Sequence, residues 1–463
     1  MKIILAGYNV DLDGLKQKEL PLTPETFSAA YARISRSPKS IPELRAIARN
    51  EIKKAREQNR RIIFEMGHHS IAEHAVFNFD IIGISRFAVE HLEAHRLNSY
   101  TEASQRYIKL RSNFLVPDEI KKTKLLPLFL KTIKFQNQAY QYLTEKLKPL
   151  ETKFAKAIED ARYVTSLATT TQLGMTINAR NLELMIRRFA SSNIAEINKL
   201  GKELYQRVIK VAPSIILFYK PTEYDKDTYK ELKKLTLNDN KASAEKKTVK
   251  LVDYTPNSDD KLIASIIHRL TNLSYSQSMT KVKKMSFAQK LSYIKTAFKY
   301  AEFYDAVLRE FEHCYLTFEL IVSAACFGQL KRHRIATITA QDYDLNLGVT
   351  IPESMKQSKQ IDLFNKVIAE TEKTYTKIHK KLPDIASYIL TQAHRRRVLL
   401  TINVRELYHI ARLRMDKTAQ WDIREIVTEM VRQAKEAMPL SLLFCSAKDQ
   451  YDNVKFQILN PQS

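Results

Sequence analysis

The feature that most constrains this chain is that the same ordered pattern occurs in it twice. In the first copy, "EHAVFNFDI" (73–81) alternates apolar and polar residues like a half-buried strand and runs into the helical pattern "SRFAVEHLEAHR". In the second, "EHCYLTFEL" (312–320) runs into "SAACFGQLKRHR". The spacing from Glu73 to His95 and from Glu312 to His333 differs by a single residue. Further on, "TINARNLELMIRRF" (176–189) matches "TINVRELYHIARLR" (401–414), so Asn178 and Arg180 are the counterparts of Asn403 and Arg405. Landmarks recurring in order at matched spacing mark an internal duplication. Long helical patterns separate the landmarks, over about 123–160 and 358–382, with apolar residues three and four apart as packing helices require. The expected class is α+β, one mixed helix and sheet unit built twice. The expected domains are 1–222 and 249–463. Between them 223–248, polar and lysine-rich, reads as a linker or a solvated helix.

Composition narrows the setting. A chain of 463 residues exceeds what one ordinary core accommodates. No apolar run approaches the roughly 18 residues that span a bilayer. The opening "MKIILAGYNVDLDG" lacks a signal-peptide cleavage pattern and reads as a first strand, so a cytoplasmic protein is expected. Three cysteines, Cys314, Cys326 and Cys445, form no CxxC pair and read as small buried hydrophobes. The formal charge of +24 points to anionic partners, or else to a surface merely rich in lysine. With eight glycines there is no GxGxxG after a strand and no phosphate-binding GxxxxGK[ST] loop. Any nucleotide phosphate must therefore be held by arginines and helix termini.

Two stretches concentrate polar groups. In "EASQRY", Glu102, Ser104 and Arg106 alternate, so an extended backbone would aim an acceptor, a hydroxyl and a cation at one ligand. Arg405 and His409 lie four apart and share one helix face. Arginine's planar fork suits phosphate or a nucleobase edge. Taken singly, either stretch reads rather as a polar rim of caps and surface ion pairs. "HHSIAEH" holds His68, His69, Glu73 and His74 without HExxH spacing, so no metal is expected. No GxSxG elbow surrounds Ser104, so it is not read as a nucleophile.

Together these motifs resemble the flavin-dependent thymidylate synthase family. Its hallmark is Arg-His-Arg, then seven intervening residues, then Ser. The first copy has Ala94, His95, Arg96 and Ser104; the second has Arg332, His333 and Arg334 but Asp342 in place of the serine. "GHHSIAEH" resembles the family's Gly-His-x-Ser-x-x-Glu-His segment, and "NVRELYHIARLRMDKTAQWDIR" its C-terminal signature. The resemblance implies two tandem thymidylate synthase-like domains forming a pseudo-dimer. It also implies FAD as cofactor and dUMP as substrate, with methylenetetrahydrofolate and NADPH consumed as dTMP is made. Family members are homotetramers with sites at subunit interfaces, so a homodimer of this double-length chain is expected.

The departures from the family pattern are complementary. The second copy keeps the set that one family subunit brings to dUMP, mapped here onto Gln329, Arg332 and Arg414. The first keeps the neighbour's set, Glu102, Ser104, Arg106 and Arg162. The opposite pairing fails: Ala94 and Phe189 stand where arginines belong in the first copy, and Asp342, Asp344 and Ser387 replace Ser, Arg and Arg in the second. Losing the cations while gaining two carboxylates repels phosphate. The resemblance thus implies one surviving composite site, with Arg414 activating the uracil ring and Ser104 positioning it. For flavin it implies Arg332, His333, Arg334, Asn403, Arg405 and His409, with Ser70 and His68 from a first copy, of the same or another chain. Arg395 to Arg397 could supply a displaced cation for Ser387, and Trp421 reads as core. Two other readings share these residues: a uracil presented in nucleic acid, and a non-catalytic nucleotide- or nucleic-acid-binding relative.

Overall fold

The computed structural model describes residues 1–16, 22–150, 154–236 and 247–460. The chain divides into two compact units. Unit 1 contains 1–243 and 353–391, and unit 2 contains 244–352 and 392–463. The division crosses the sequence repeats: the long helix of the second repeat, Ile361–His379, packs in unit 1.

Unit 1 is built on a four-stranded antiparallel sheet of β1 (Lys2–Tyr8), β2 (Val76–Ser85), β3 (Ser99–Glu102) and β4 (Thr170–Asn178), in the order β1-β2-β4-β3. Alternation along β2 buries Phe77, Phe79 and Ile81, which face Ile177, Met175 and Leu173 across the ladder with β4. The outward Asn78 and Thr176 are joined at 2.8 Å. Helix Leu126–Leu147 packs against helix Ile361–His379. Thr132 and Thr374 hydroxyls meet at 2.8 Å, and Gln136 Nε2 donates to Thr371 Oγ1 (2.8 Å) and the Ile389 carbonyl (2.9 Å). The expected long helix over 123–160 is in fact broken: after Leu147 come a short turn at Lys148–Leu150 and then helix Phe154–Ala161. Pro149 cannot continue the helical hydrogen bonding.

Unit 2 repeats the plan with β5 (Val249–Tyr254), β6 (Tyr315–Ser323), β7 (Thr337–Tyr343) and β8 (Arg395–Asn403), in the order β5-β6-β8-β7. Its core includes a stacked cluster: Phe298 lies 4.6 Å from Phe444 and 5.4 Å from Tyr408, ring centre to ring centre. Each such fully buried side chain contributes roughly 1.5–3 kcal/mol of transfer free energy.

The repeats also reuse the same caps. Ser85 Oγ accepts from Ala88 N (3.0 Å) and donates to Glu196 Oε2 (2.6 Å). Ser323 Oγ does the same with Cys326 N (2.9 Å) and Asp422 Oδ2 (2.5 Å). Asn178 and Asn403 cap the helices that follow, accepting from Asn181 N at 2.9 Å and Glu406 N at 2.7 Å. Of the expected linker, Glu223–Thr236 forms a helix with no buried residue, and 237–246 lies outside the described residues.

Candidate functional site

The first-repeat residues singled out from sequence gather in unit 1, though not by the expected route. Only Glu102 belongs to a strand; Ser104 and Arg106 lie in the turn after β3. There Ser104 Oγ accepts from Arg106 N at 3.3 Å, and Ile108 N bonds the Ser104 carbonyl at 3.1 Å. A serine that satisfies the backbone two residues on favours a turn over an extended strand. Alternation therefore does not aim the three side chains.

Ion pairs position them instead. Arg86, the first residue of helix Arg86–Glu93, binds the Glu102 carboxylate through Nη1. Arg106 Nε binds Glu159, near the end of helix Phe154–Ala161. Arg162 follows that helix in a short turn closed by Thr165, whose N–H and hydroxyl both donate to the Arg162 carbonyl (2.9 and 2.7 Å). Arg162 is 6% exposed, and its Nε and Nη2 have no hydrogen-bond partner among the described residues. Burial lowers its affinity for a proton, with Tyr163 and Glu159 opposing and Arg86 and Arg106 reinforcing that shift. Burying a guanidinium costs several kcal/mol, which the nearby Glu159 offsets in part. Arg86 and Glu159 were not identified from sequence; a buried arginine opening an apolar helix was the available signal.

The second-repeat residues gather in unit 2 around His333. Arg414, the last residue of helix Val404–Arg414, donates through Nε to His333 Nε2 at 3.0 Å. His333 Nδ1 lies 3.7 Å from Glu406 Oε1. An acceptor Nε2 leaves the proton of a neutral ring on Nδ1, toward Glu406. Burial, then Arg414, His409 and Arg332, holds His333 well below the usual histidine range. Burial raises Glu406, against His409 and Arg405. His333 is thus buried and braces Arg414, while Arg332, Arg334 and His409 around it are exposed. Gln329 is buried and donates to Gln420 Oε1 at 3.0 Å. Arg405 binds Glu312 (2.7 Å) and the Val307 carbonyl (2.6 Å), an ion pair the first repeat reproduces between Arg180 and Glu73 (2.5 Å).

His68 and Ser70 line an open cleft of about 490 Å³ in unit 1, together with Tyr31, Ser35, Arg36 and His74. The last four were not singled out as ligands from sequence. Arg395 donates to Thr350 Oγ1 (2.9 Å), Arg396 to the Gln341 carbonyl (2.7 Å), and Arg397 to Glu319 (3.2 Å). Each of these three cations therefore has an acceptor within its own unit. Asp344 caps the turn at Leu345–Leu347 through Asn346 N (2.9 Å). Trp421, expected in the core, is half-buried at a helix start. The three thiols are buried, and burial pushes Cys314 up to about 11 and Cys445 up to about 12. Thiols so protonated are poor nucleophiles. Among the described residues no group of three or more His, Cys, Asp or Glu side chains is arranged to hold a metal ion, and no helix is long and apolar enough to cross a membrane.

The family profile described as "Thymidylate synthase complementing protein" matches residues 20–214 and again 250–440. The chain belongs to that family. A flavin-dependent thymidylate synthase of Clostridium tetani is 32% identical over 223 residues, which is 45% of this chain and 88% of the relative. A Chlamydia pneumoniae relative called a UPF0159 protein is 24% identical over 447 residues, 89% of this chain and 84% of its own. Among solved structures, the flavin-dependent thymidylate synthase ThyX of Helicobacter pylori, complexed with FAD and dUMP, matches 48% of this chain and all of its own at 21% identity and TM-score 0.32.

Proposed function

We propose that the protein methylates dUMP reductively to dTMP, using FAD, methylenetetrahydrofolate as the one-carbon donor and NADPH as reductant, in one working site per chain. The observation that carries this reading is Arg162, a buried guanidinium whose two orphaned donors suit a phosphate. Relatives named flavin-dependent thymidylate synthase support the chemistry, and the complementary retention of motif halves supports the single site.

Each residue then has a defined task. Arg162 and Arg106 hold the phosphate, with Glu159 fixing Arg106. Glu102 and Ser104 orient the nucleotide, and Gln329 and Arg332 complete its contacts. Arg414, braced by His333, stabilises negative charge growing on the uracil imide; a preorganised donor of this kind acts where charge develops. The cleft at His68, Ser70 and Arg36 has donors suited to a dinucleotide, and Arg332, Arg334, Asn403, Arg405 and His409 are the further candidates, His333 acting through Arg414. Reduced flavin held there would supply hydride chemistry at the pyrimidine. Sharing of that cofactor between first and second repeats of different chains makes a homodimer the expected assembly.

The test is turnover with dUMP, methylenetetrahydrofolate, FAD and NADPH, alongside calorimetry with dUMP. Bound flavin, dTMP formation and one dUMP per chain are expected. Two equivalent dUMP sites would refute the single site. Absence of dTMP, or methylation of a uracil-containing oligonucleotide instead, would overturn the substrate assignment.

A further inference from the structure

His333 bridges two ends of one helix. Glu406 is the third residue of helix Val404–Arg414 and Arg414 its last, a separation of about 12 Å along the axis. His333 comes from outside that helix, in the turn after helix Ala324–Leu330. There its N–H bonds the Leu330 carbonyl at 3.1 Å and its own carbonyl accepts from Ala336 N at 3.2 Å. The ring accepts from Arg414 Nε at 3.0 Å through Nε2, and its Nδ1 lies 3.7 Å from Glu406 Oε1. At that distance the carboxylate acts on the Nδ1 proton as a charge, not through a direct hydrogen bond. The two side chains are only 2% and 8% exposed, so water screens the interaction little.

A neutral imidazole can carry its proton on either nitrogen. On Nδ1 the proton faces the carboxylate and leaves Nε2 free to accept. On Nε2 it would set a ring N–H against a guanidinium N–H, and Arg414 would lose the contact that fixes its side chain. The first repeat changes both ends together. Around His95, Asn181 stands in the place of Glu406 and Phe189 in that of Arg414. Asn181 Nδ2 bonds the Leu97 carbonyl instead, at 3.1 Å. The carboxylate is present in the repeat that has a guanidinium to orient.

We propose that Glu406 is a positioning residue for Arg414: it holds the His333 proton on Nδ1, so that Nε2 remains an acceptor for the guanidinium. The catalytic consequence rests on the dUMP reading above; the orientation of the ring does not. Arg414 is then aimed before the uracil arrives, and its donors need not reorganise as charge develops.

Two measurements on the full chain test this. Nitrogen NMR of histidine-labelled protein, with the His333 signals assigned from His333→Gln, should show the proton on Nδ1. Glu406→Ala should move it to Nε2 in a large fraction of molecules, and Glu406→Gln, of nearly the same size, should do so to a smaller extent. An unchanged tautomer in both variants overturns the proposal. In turnover, Glu406→Ala should lower kcat about tenfold with little change in the dUMP dissociation constant. Added to Arg414→Ala, the same change should cost nothing further, because the group it orients is gone. A merely structural role would give the full loss again in that background, and that result overturns the proposal. If the wild-type protein makes no dTMP while the tautomer still follows Glu406, the dUMP reading fails and the positioning of Arg414 stands.

Discussion

His95 and His333 occupy the same place in the two repeats and have opposite companions. His333 accepts a hydrogen bond from Arg414 at 3.0 Å. His95 meets Phe189, the counterpart of Arg414, edge to face at 5.3 Å. Phe189 is wedged tightly: a Cβ on Gly201 would lie 2.7 Å from the Phe189 Cβ. One repeat has kept a braced cation and the other has converted the same position into packing. The strand, cap and helix around them are unchanged, so a polar site can be lost from a repeat without loss of its fold.

The largest test of that contrast is the paired truncation. Arg414→Ala is expected to reduce kcat by about a hundredfold to a thousandfold, as removal of one preorganised donor does elsewhere, with the fold intact. Phe189→Ala should reverse the pattern, costing about 3–5 kcal/mol of stability with turnover per folded molecule retained. Steady-state kinetics with parallel denaturant melts reads both, and equal kinetic losses would dissolve the distinction between the repeats.

Next in size is the pH response of His95. Burial, followed by Arg188 and His91, pushes this histidine down to about 4, so the folded state resists its protonation. Its contribution is complete above the unfolded value near 6.5 and is lost as pH falls from there towards 4, reaching of the order of 3 kcal/mol. His95→Leu should flatten the stability profile across that window in chemical melts. A profile as steep as in the wild type would assign the acid sensitivity elsewhere, with the buried His333 the first alternative.

The smallest effect concerns what the repeats share. Ser85→Ala and Ser323→Ala each remove a helix cap that also binds a buried carboxylate, Glu196 or Asp422. Losses of about 1–2 kcal/mol, similar for the two, are expected from the cap alone. A loss in one repeat only would mean that the matching geometry is not matched energetically.

Much of this was legible in the chain. The alternation of "VFNFDI" places Phe77, Phe79 and Ile81 on the buried face because side chains alternate along a strand. The paired "TIN" segments end their strands in capping asparagines for the same local reason. Arg162, Arg414 and His333 could be named through the family resemblance. Their partners could not: Glu159 is 53 residues from Arg106, and Arg86 is 16 from Glu102. The turn at Ser104 was misread as extended because its local hydroxyl bond competes with the strand pattern.

The sequence by itself determined that a fold unit is built twice and where strands such as Val76–Ser85 and Thr170–Asn178 run into helices. These follow from periodicity and short-range hydrogen bonding, which a linear chain records directly. Only the tertiary structure decided that helix Ile361–His379 packs in unit 1, that His333 is a buried brace, and that Arg162 Nε and Nη2 are left without a hydrogen-bond partner among the described residues. Those outcomes depend on which distant groups exclude water together, and burial sets whether a charge is paired, neutral or left to attract a ligand.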